Sequence, residues 1–181
     1  PSLYNYRIFI SHAWEYGDEY MRLVQLLDQA PNFSYYNYSA PKERPLELTS
    51  GRASKSEIQR AISNKIGKAQ IELVLGGMYA DYHDWMQYEV DEAKRMGKPI
   101  LLIKPWGQTM IPRYLQDVAD DIVGWNTDSI VSAIRRLDNY KNSSTSGNWQ
   151  SVCIDQLARN GQYRPNTLYI TTFGQACQSV P

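Results

Sequence analysis

Apolar positions along the chain fall into short dense runs that alternate with stretches of helical spacing. Tyr6-Arg7-Ile8-Phe9-Ile10-Ser11 is a run of β-formers, and Tyr20, Leu23, Val24, Leu26 and Leu27 follow it at helical intervals. A strand feeding a helix is expected. Asp18 is placed to cap that helix, and Pro31 to end it, because proline lacks a backbone donor and turns the preceding residue away from helical geometry. Asn32 to Tyr38 alternates as a second strand, and the polar stretch from Ser39 to Ser54, with Pro41 and Pro45, reads as a long mobile loop. Ile58, Ala61, Ile62 and Ile66 make the next helical stripe, and Ile71-Glu72-Leu73-Val74-Leu75 makes a third strand closed by Gly76-Gly77.

Asp84 followed by Gln87 has capping-box spacing, so a helix is expected from Asp84 to about Gly97, a good terminator. Pro99 to Ile103 is the fourth strand. A short helix near Pro112 to Val118 and a strand at Asp121 to Gly124 follow. Thr127 or Asp128 then caps a helix that carries Ile130, Val131, Ile134 and Leu137 on one face. Strands alternating with helices require parallel crossovers. The expected fold is therefore a three-layer α/β sandwich, flavodoxin-like, with a central five-stranded parallel sheet of order 2-1-3-4-5. Residues 1–140 form that domain. Residues 141–181 are a linker and C-terminal extension: Lys141 to Asn148 is polar, Trp149 to Ala158 has the pattern of a helix and Thr167 to Phe173 that of a strand.

The composition narrows the partners. In 181 residues, Lys plus Arg and Asp plus Glu both number 19, so no global field draws the chain to nucleic acid or to an anionic membrane. No apolar run approaches the roughly 20 residues that cross a bilayer. The amino end, Pro1 to Tyr6, has neither the basic start nor the apolar stretch of a signal peptide, and a soluble, cytoplasmic protein is expected. Cys153 and Cys177 lack metal-ligand spacing and read as reduced thiols. The 14 Tyr and 5 Trp against 3 Phe suit half-wet surfaces, which fits a binding cleft and a protein interface equally.

In a sheet of this order, ligands bind beyond the carboxyl ends of the strands where strand order reverses, between the first and third strands. That names Ser11-His12-Ala13-Trp14 and Gly76-Gly77-Met78-Tyr79-Ala80-Asp81, the second leading into the helix that carries Glu89. Met86, Val90, Ala93 and Gly97 share the face that should pack on the sheet, with Trp85 and Glu89 stacked at i and i+4 on its flank. Glu89 is then either a partly desolvated carboxylate aimed at the crevice or an ordinary glutamate near a helix start, favoured by the helix dipole. Other chemistries of the fold lack their residues. No G-x-G-x-x-G or hydroxyl-rich phosphate loop follows the first strand, and Gly76-Gly77 stands where a phosphoacceptor would place its aspartate. His12 and His83 have no zinc-ligand partners, and no G-x-S-x-G elbow occurs.

Arg7-Ile8-Phe9-Ile10-Ser11-His12-Ala13-Trp14 resembles the opening strand and loop of TIR domains. Val74-Leu75-Gly76-Gly77-Met78-Tyr79, Trp85-x-x-x-Glu89, Gly97-Lys98-Pro99-Ile100, Ile103-Lys104-Pro105-Trp106-Gly107 and Ile122-Val123-Gly124-Trp125-Asn126-Thr127 resemble, in order, the TIR-like family of Thoeris antiphage systems. The resemblance spans about residues 4 to 140. It implies that Glu89 is the catalytic carboxylate of an NAD+ nucleosidase or ADP-ribosyl cyclase. NAD+ is then substrate rather than cofactor, and no metal is needed. It also implies that Ser11, His12 and Trp14 line one wall of the nucleotide cleft and Met78 and Tyr79 the other, and that Ser39-Ala40-Pro41 begins the loop over it. Trp85 packs on the ligand or braces Glu89. Implied partners are further copies of the chain and a separate effector reached through a diffusible, ADP-ribose-derived nucleotide. The alternative within the family is a non-catalytic module acting through self-association. The chain departs from animal TIR domains in having no arginine beside Ser11.

Overall fold

The computed structural model describes residues 4–12, 17–39, 54–104, 110–145, 168–170 and 176–178. Its elements are β1 (Asn5–Ser11), α1 (Gly17–Asp28), β2 (Ser34–Asn37), α2 (Lys55–Lys68), β3 (Ile71–Leu75), α3 (Tyr79–Arg95), β4 (Ile100–Ile103), α4 (Arg113–Val118), β5 (Asp121–Val123), α5 (Thr127–Thr145), β6 (Leu168–Ile170) and β7 (Ala176–Gln178). The first five strands form one parallel sheet in the order 2-1-3-4-5, with helices around it. The α/β sandwich is thus the one the alternation of patterns required. Contacts divide the chain into two compact units, Pro1–Leu137 and Asp138–Pro181. The second contains β6 and β7, an antiparallel pair in which Tyr169 faces Cys177.

Right-handed crossovers place α1 on one face of the sheet and α2, α3 and α4 on the other, because the chain steps from β1 to β2 in one direction and from β3 to β5 in the opposite one. Both faces are covered, so β3 and β4 are buried along their whole length. Ile8, Ile10, Leu73 and Leu75 form the core with Leu23 and Leu27 of α1, while Val74 and Leu102 join Ile62 and Ile66 of α2 and Met86, Val90 and Ala93 of α3.

Each helix boundary has a local cause. Ser54 caps α2 in a capping box. Its Oγ accepts from the Glu57 amide at 3.3 Å, and Glu57 Oε2 accepts from the Ser54 amide at 2.7 Å. Ser54→Ala should cost about 1 kcal/mol, read as a lowered urea midpoint with unchanged slope. At the other end of α2, Lys98 Nζ donates to the carbonyls of Gly67 at 2.9 Å and Ala69 at 2.6 Å, a cation satisfying helix-end acceptors. Gly97, at φ +62°, ends α3 with the Lys98 amide donating to Ala93 O at 2.8 Å and its own amide to Lys94 O at 3.0 Å.

Several boundaries differ from the sequence expectation. Asp18 lies inside the first turn of α1 rather than before it. The second strand is shorter than Asn32–Tyr38, since Asn32 turns the chain at φ +54°. Asp84 is no cap: Gly76–Met78 forms a 3-10 turn that continues directly into α3 at Tyr79. No proline or other breaker stands between Tyr79 and Asp84, so helix propagates from the turn. Neither Thr127 nor Asp128 caps α5; Asn126 does, its Oδ1 accepting from the Ser129 amide at 3.0 Å. The helix extends through Thr145, into the polar stretch expected to be a linker. The helix expected at Trp149 to Ala158 and most of the Ser39 to Ser54 loop lie outside the described residues, as does Cys153.

Candidate functional site

β1 ends beside β3, with Ser11 paired to Val74 and Phe9 to Glu72. Because side chains alternate along a strand, Phe9 and Ser11 share a face with Glu72 and Val74, and α3 lies over that face. Ser11 Oγ donates to Glu89 Oε2 at 2.5 Å, joining the carboxyl end of β1 to the middle of α3. Both groups are buried, Ser11 at 0% and Glu89 at 3% exposure. Glu89 stands ten residues after the helix start at Tyr79, so the dipole of the first turn does not account for it. Nor does it sit on a flank open to the crevice. It belongs to the buried face with Met86, Val90 and Ala93.

Burial pushes the Glu89 carboxyl up to about 8, against the opposing effect of the Ser11 hydroxyl, which stabilises the anion. Glu92, one turn on, shows what a different surrounding does. Arg95 grips it through Nε at 2.8 Å and Nη2 at 2.7 Å, Ser63 Oγ donates at 2.5 Å, and its carboxyl falls to about 2, chiefly from the Arg95 hydrogen bonds. Among the described residues no cation pairs with Glu89. It is a buried carboxyl that holds its proton near neutrality.

His12 is also buried, at 5% exposure. Its Nδ1 lies 2.9 Å from Ile10 O, and the ring stacks on Tyr20 of α1 with centroids 4.1 Å apart. Burial lowers its affinity for a proton, more than the Ile10 carbonyl restores it. A carbonyl can only accept, so Nδ1 carries the proton of the neutral ring. Nε2 is therefore a bare acceptor, buried and without a partner among the described residues. It suits a ligand hydroxyl or amide better than a phosphate.

Ser39 braces this end of the sheet. Its Oγ accepts from the Ile10 amide at 2.5 Å, where β2 no longer reaches, and its own amide donates to Asn37 Oδ1 at 2.9 Å. Asn37 Nδ2 in turn donates to Tyr20 Oη at 2.8 Å. The start of the expected cleft loop is thus tied to His12 through Tyr20. Gly76, just after β3, is tightly packed: a Cβ there would lie 3.2 Å from Ile103 O and from Leu102 Cδ1, so a larger residue needs these neighbours to give by a few tenths of an ångström.

Of the residues expected at the site, the structure brings together Ser11 and Glu89, and places His12 next in the chain, with its ring toward α1. Trp85 is half-buried and meets Tyr88 edge-on at 6.4 Å, a contact within its own helix. Met78 closes the 3-10 turn and Tyr79 opens α3, but their side chains, like Trp14 and Pro41 altogether, lie outside the described residues. One member was not expected. Glu72, the second residue of β3, is 0% exposed, and among the described residues neither of its carboxyl oxygens has a partner. A single charged residue inside an otherwise apolar central strand was the available signal. Among the described residues no group of His, Cys, Asp and Glu could hold a metal ion, and no helix is long and apolar enough to cross a membrane. A shallow depression along α1, lined by Met21, Arg22 and Gln25, includes none of the site residues.

Residues 9–110 match the family model described as Thoeris protein ThsB, TIR-like domain. No curated protein matches the chain significantly. Among solved structures, a 2-deoxyribosyltransferase from Bacillus psychrosaccharolyticus is similar with a TM-score of 0.50 at 17% identity, over 68% of this chain and 89% of that one. A conserved protein from Enterococcus faecalis is similar with a TM-score of 0.56 at 11% identity, over 74% and 99%. At these identities the likeness is one of fold.

Proposed function

This chain belongs to the TIR-like domain family of the Thoeris protein ThsB, a defence-related family, and from that premise we propose that it cleaves the bond between nicotinamide and ribose in NAD+. The observation that carries the reading is the buried Ser11–Glu89 pair at the carboxyl end of β1, at the point where strand order reverses. When the C1′–N bond breaks, its electron pair leaves with nicotinamide and a ribosyl oxocarbenium ion remains. A carboxylate in a low-dielectric site stabilises that cation directly or through hydrogen bonds from the ribose hydroxyls. Glu89 takes that role. Pyridinium is already a good leaving group, so a second carboxyl acting as general acid is not required.

The raised affinity of Glu89 for its proton fits a cationic ligand. In the free protein the carboxyl is mostly neutral near pH 7. The positive charge of the nicotinamide ring, and then of the ribosyl cation, favours the anion, so the ligand brings the charge that ionises its catalyst. Ser11 Oγ holds the anion in place, and His12 Nε2 is free to accept from a ribose hydroxyl. The cation is then captured by water, giving ADP-ribose, or by an atom of the same nucleotide, giving a cyclic product. In either case the nucleophile loses one proton. A dry site favours the second course. The product acts on a separate effector, and the protein works in the cytoplasm and self-associates.

Purified full-length protein incubated with NAD+ should release nicotinamide, followed by chromatography with mass spectrometry of the nucleotide product. Its kcat/KM should climb with pH toward a limb near the Glu89 transition at about 8, because only the anion stabilises the cation. Glu89→Gln should lose at least about a hundredfold in rate, the scale of removing one stabilising group from the transition state. Equal turnover by the two proteins would overturn the catalytic assignment of Glu89, and no nicotinamide release by the wild type would favour a non-catalytic assembly module instead.

A further inference from the structure

We infer that Glu72 is a positioning residue for Glu89, a buried carboxylic acid that keeps its proton and donates it in a hydrogen bond to the Glu89 carboxylate when that group ionises. Glu72 lies on the β3 face that α3 covers, in register with Phe9 of β1 and Ile100 of β4. Ser11, which already holds Glu89, is paired with Val74, two residues further along that face. Both carboxyls therefore project into the same layer between sheet and helix. Each is at most 3% exposed, and among the described residues Glu72 has no partner on either oxygen.

Among the titratable groups of the described residues, one is left to accept its proton. Phe9, Ile100 and Leu102 offer no polar side-chain atom. Of the titratable groups on elements packed against this layer, Asp84, Asp91, Lys94 and Arg95 of α3 and Lys55, Glu57, Arg60 and Lys68 of α2 are exposed. Glu92 is held by Arg95 and Ser63, Lys65 reaches Tyr38 O, Tyr88 donates to Gln59 O, and Arg7 of β1 donates to Lys68 O. His12 turns to α1. Among the described residues, Glu89 is the ionisable group that acts on Glu72, and it acts by repulsion between charges.

Two buried carboxyls in one apolar layer cannot both be charged, so the pair holds two protons below the Glu89 transition at about 8 and one proton and one charge above it. Which member keeps the proton follows from their partners. Glu89 has the Ser11 hydroxyl to stabilise its anion, and Glu72 has no counterpart among the described residues. Complete burial, with the Glu89 charge nearby, keeps Glu72 neutral well beyond the usual carboxylate range. Once Glu89 is ionised, the neutral Glu72 O–H becomes a second donor to it beside Ser11.

The inference rests on the reading of Glu89 as the working carboxylate, and two substitutions in the full-length chain test it. Glu72→Gln keeps a donor of the same shape and cannot titrate; Glu72→Leu fills the same space without a donor. Loss of the donor should move the acid limb of kcat/KM for NAD+ up by about one pH unit in Glu72→Leu, while Glu72→Gln stays with wild type. A merely space-filling Glu72 predicts one shared limb for all three, and that result would overturn the inference. Infrared difference spectra supply a readout that needs no turnover. At about pH 9, above the Glu89 transition, wild type should keep a protonated-carboxyl band that Glu72→Gln lacks. A band that persists in Glu72→Gln, or is missing from wild type, would also overturn it. If wild type fails to cleave NAD+, the proposed activity falls and these spectra still decide the state of Glu72.

Discussion

Replacing Glu89 by glutamine should stabilise the protein, and by more as pH rises, while removing the proposed activity. The folded carboxyl keeps its proton up to about 8, because burial outweighs the Ser11 hydrogen bond; in the unfolded chain it titrates near the ordinary 4.5. Between those values the unfolded state binds fewer protons than the folded one, so stability falls as pH climbs from about 4.5 to about 8 and levels off above. Glutamine does not titrate. The difference between Glu89→Gln and wild type should therefore be small at the acid end of that window. It should grow to several kcal/mol, on the order of 4, at the alkaline end. For a chain of this size that corresponds to a rise of roughly 10 °C in Tm. Thermal melts of both proteins across the window measure it. A difference that does not change with pH would mean that Glu89 titrates as an exposed carboxylate does. Such a result would remove the physical basis of its role, since a site that holds a costly group at the expense of its own stability is the usual mark of function.

The second large effect separates two adjacent residues of β3. Leu73 and Glu72 point to opposite faces of the central strand, and both are fully buried. Leu73→Ala should cost about 3–4 kcal/mol, the lost transfer energy plus a cavity between sheet and α1 that a covered parallel sheet cannot collapse. Glu72→Leu should instead stabilise by about 1–3 kcal/mol, because it removes a carboxyl with no partner among the described residues and leaves a side chain of similar volume beside Phe9 and Ile100. Urea denaturation below pH 7, where both carboxyls hold their protons, reads the two changes with opposite sign. A loss on Glu72→Leu comparable to that on Leu73→Ala would show that Glu72 is satisfied within the core.

Much of the architecture was legible before any coordinates. The run of β-formers at Tyr6 to Ser11, the apolar block at Ile71 to Leu75 and the helical stripes between them dictate parallel crossovers, and right-handedness leaves few sheet orders. Boundaries were less legible where a local signal competed with propagation. Asp84 with Gln87 has the spacing of a cap, but a helix already running from Gly76-Gly77 had no reason to stop and restart. The Ser/Asn-rich stretch after Lys141 lacks an apolar stripe, yet α5 runs through it to Thr145. The consequence for the site is direct. An early start moves Glu89 from the first turns to mid-helix and from a helix flank to the buried face, so the helix dipole gives way to desolvation as the force that sets its proton affinity.

The amino-acid sequence by itself determined the strand and helix pattern, the switch point between β1 and β3, and the choice of Ser11 and Glu89, through their order and their family resemblance. Only the tertiary structure decided that these two touch, that His12 presents a bare Nε2 while stacked on Tyr20, and that Glu72 shares a dry layer with Glu89. Those facts depend on which face of a strand a helix comes to cover and on how completely it excludes water. Such burial is a property of the packed layers, and no single segment contains it.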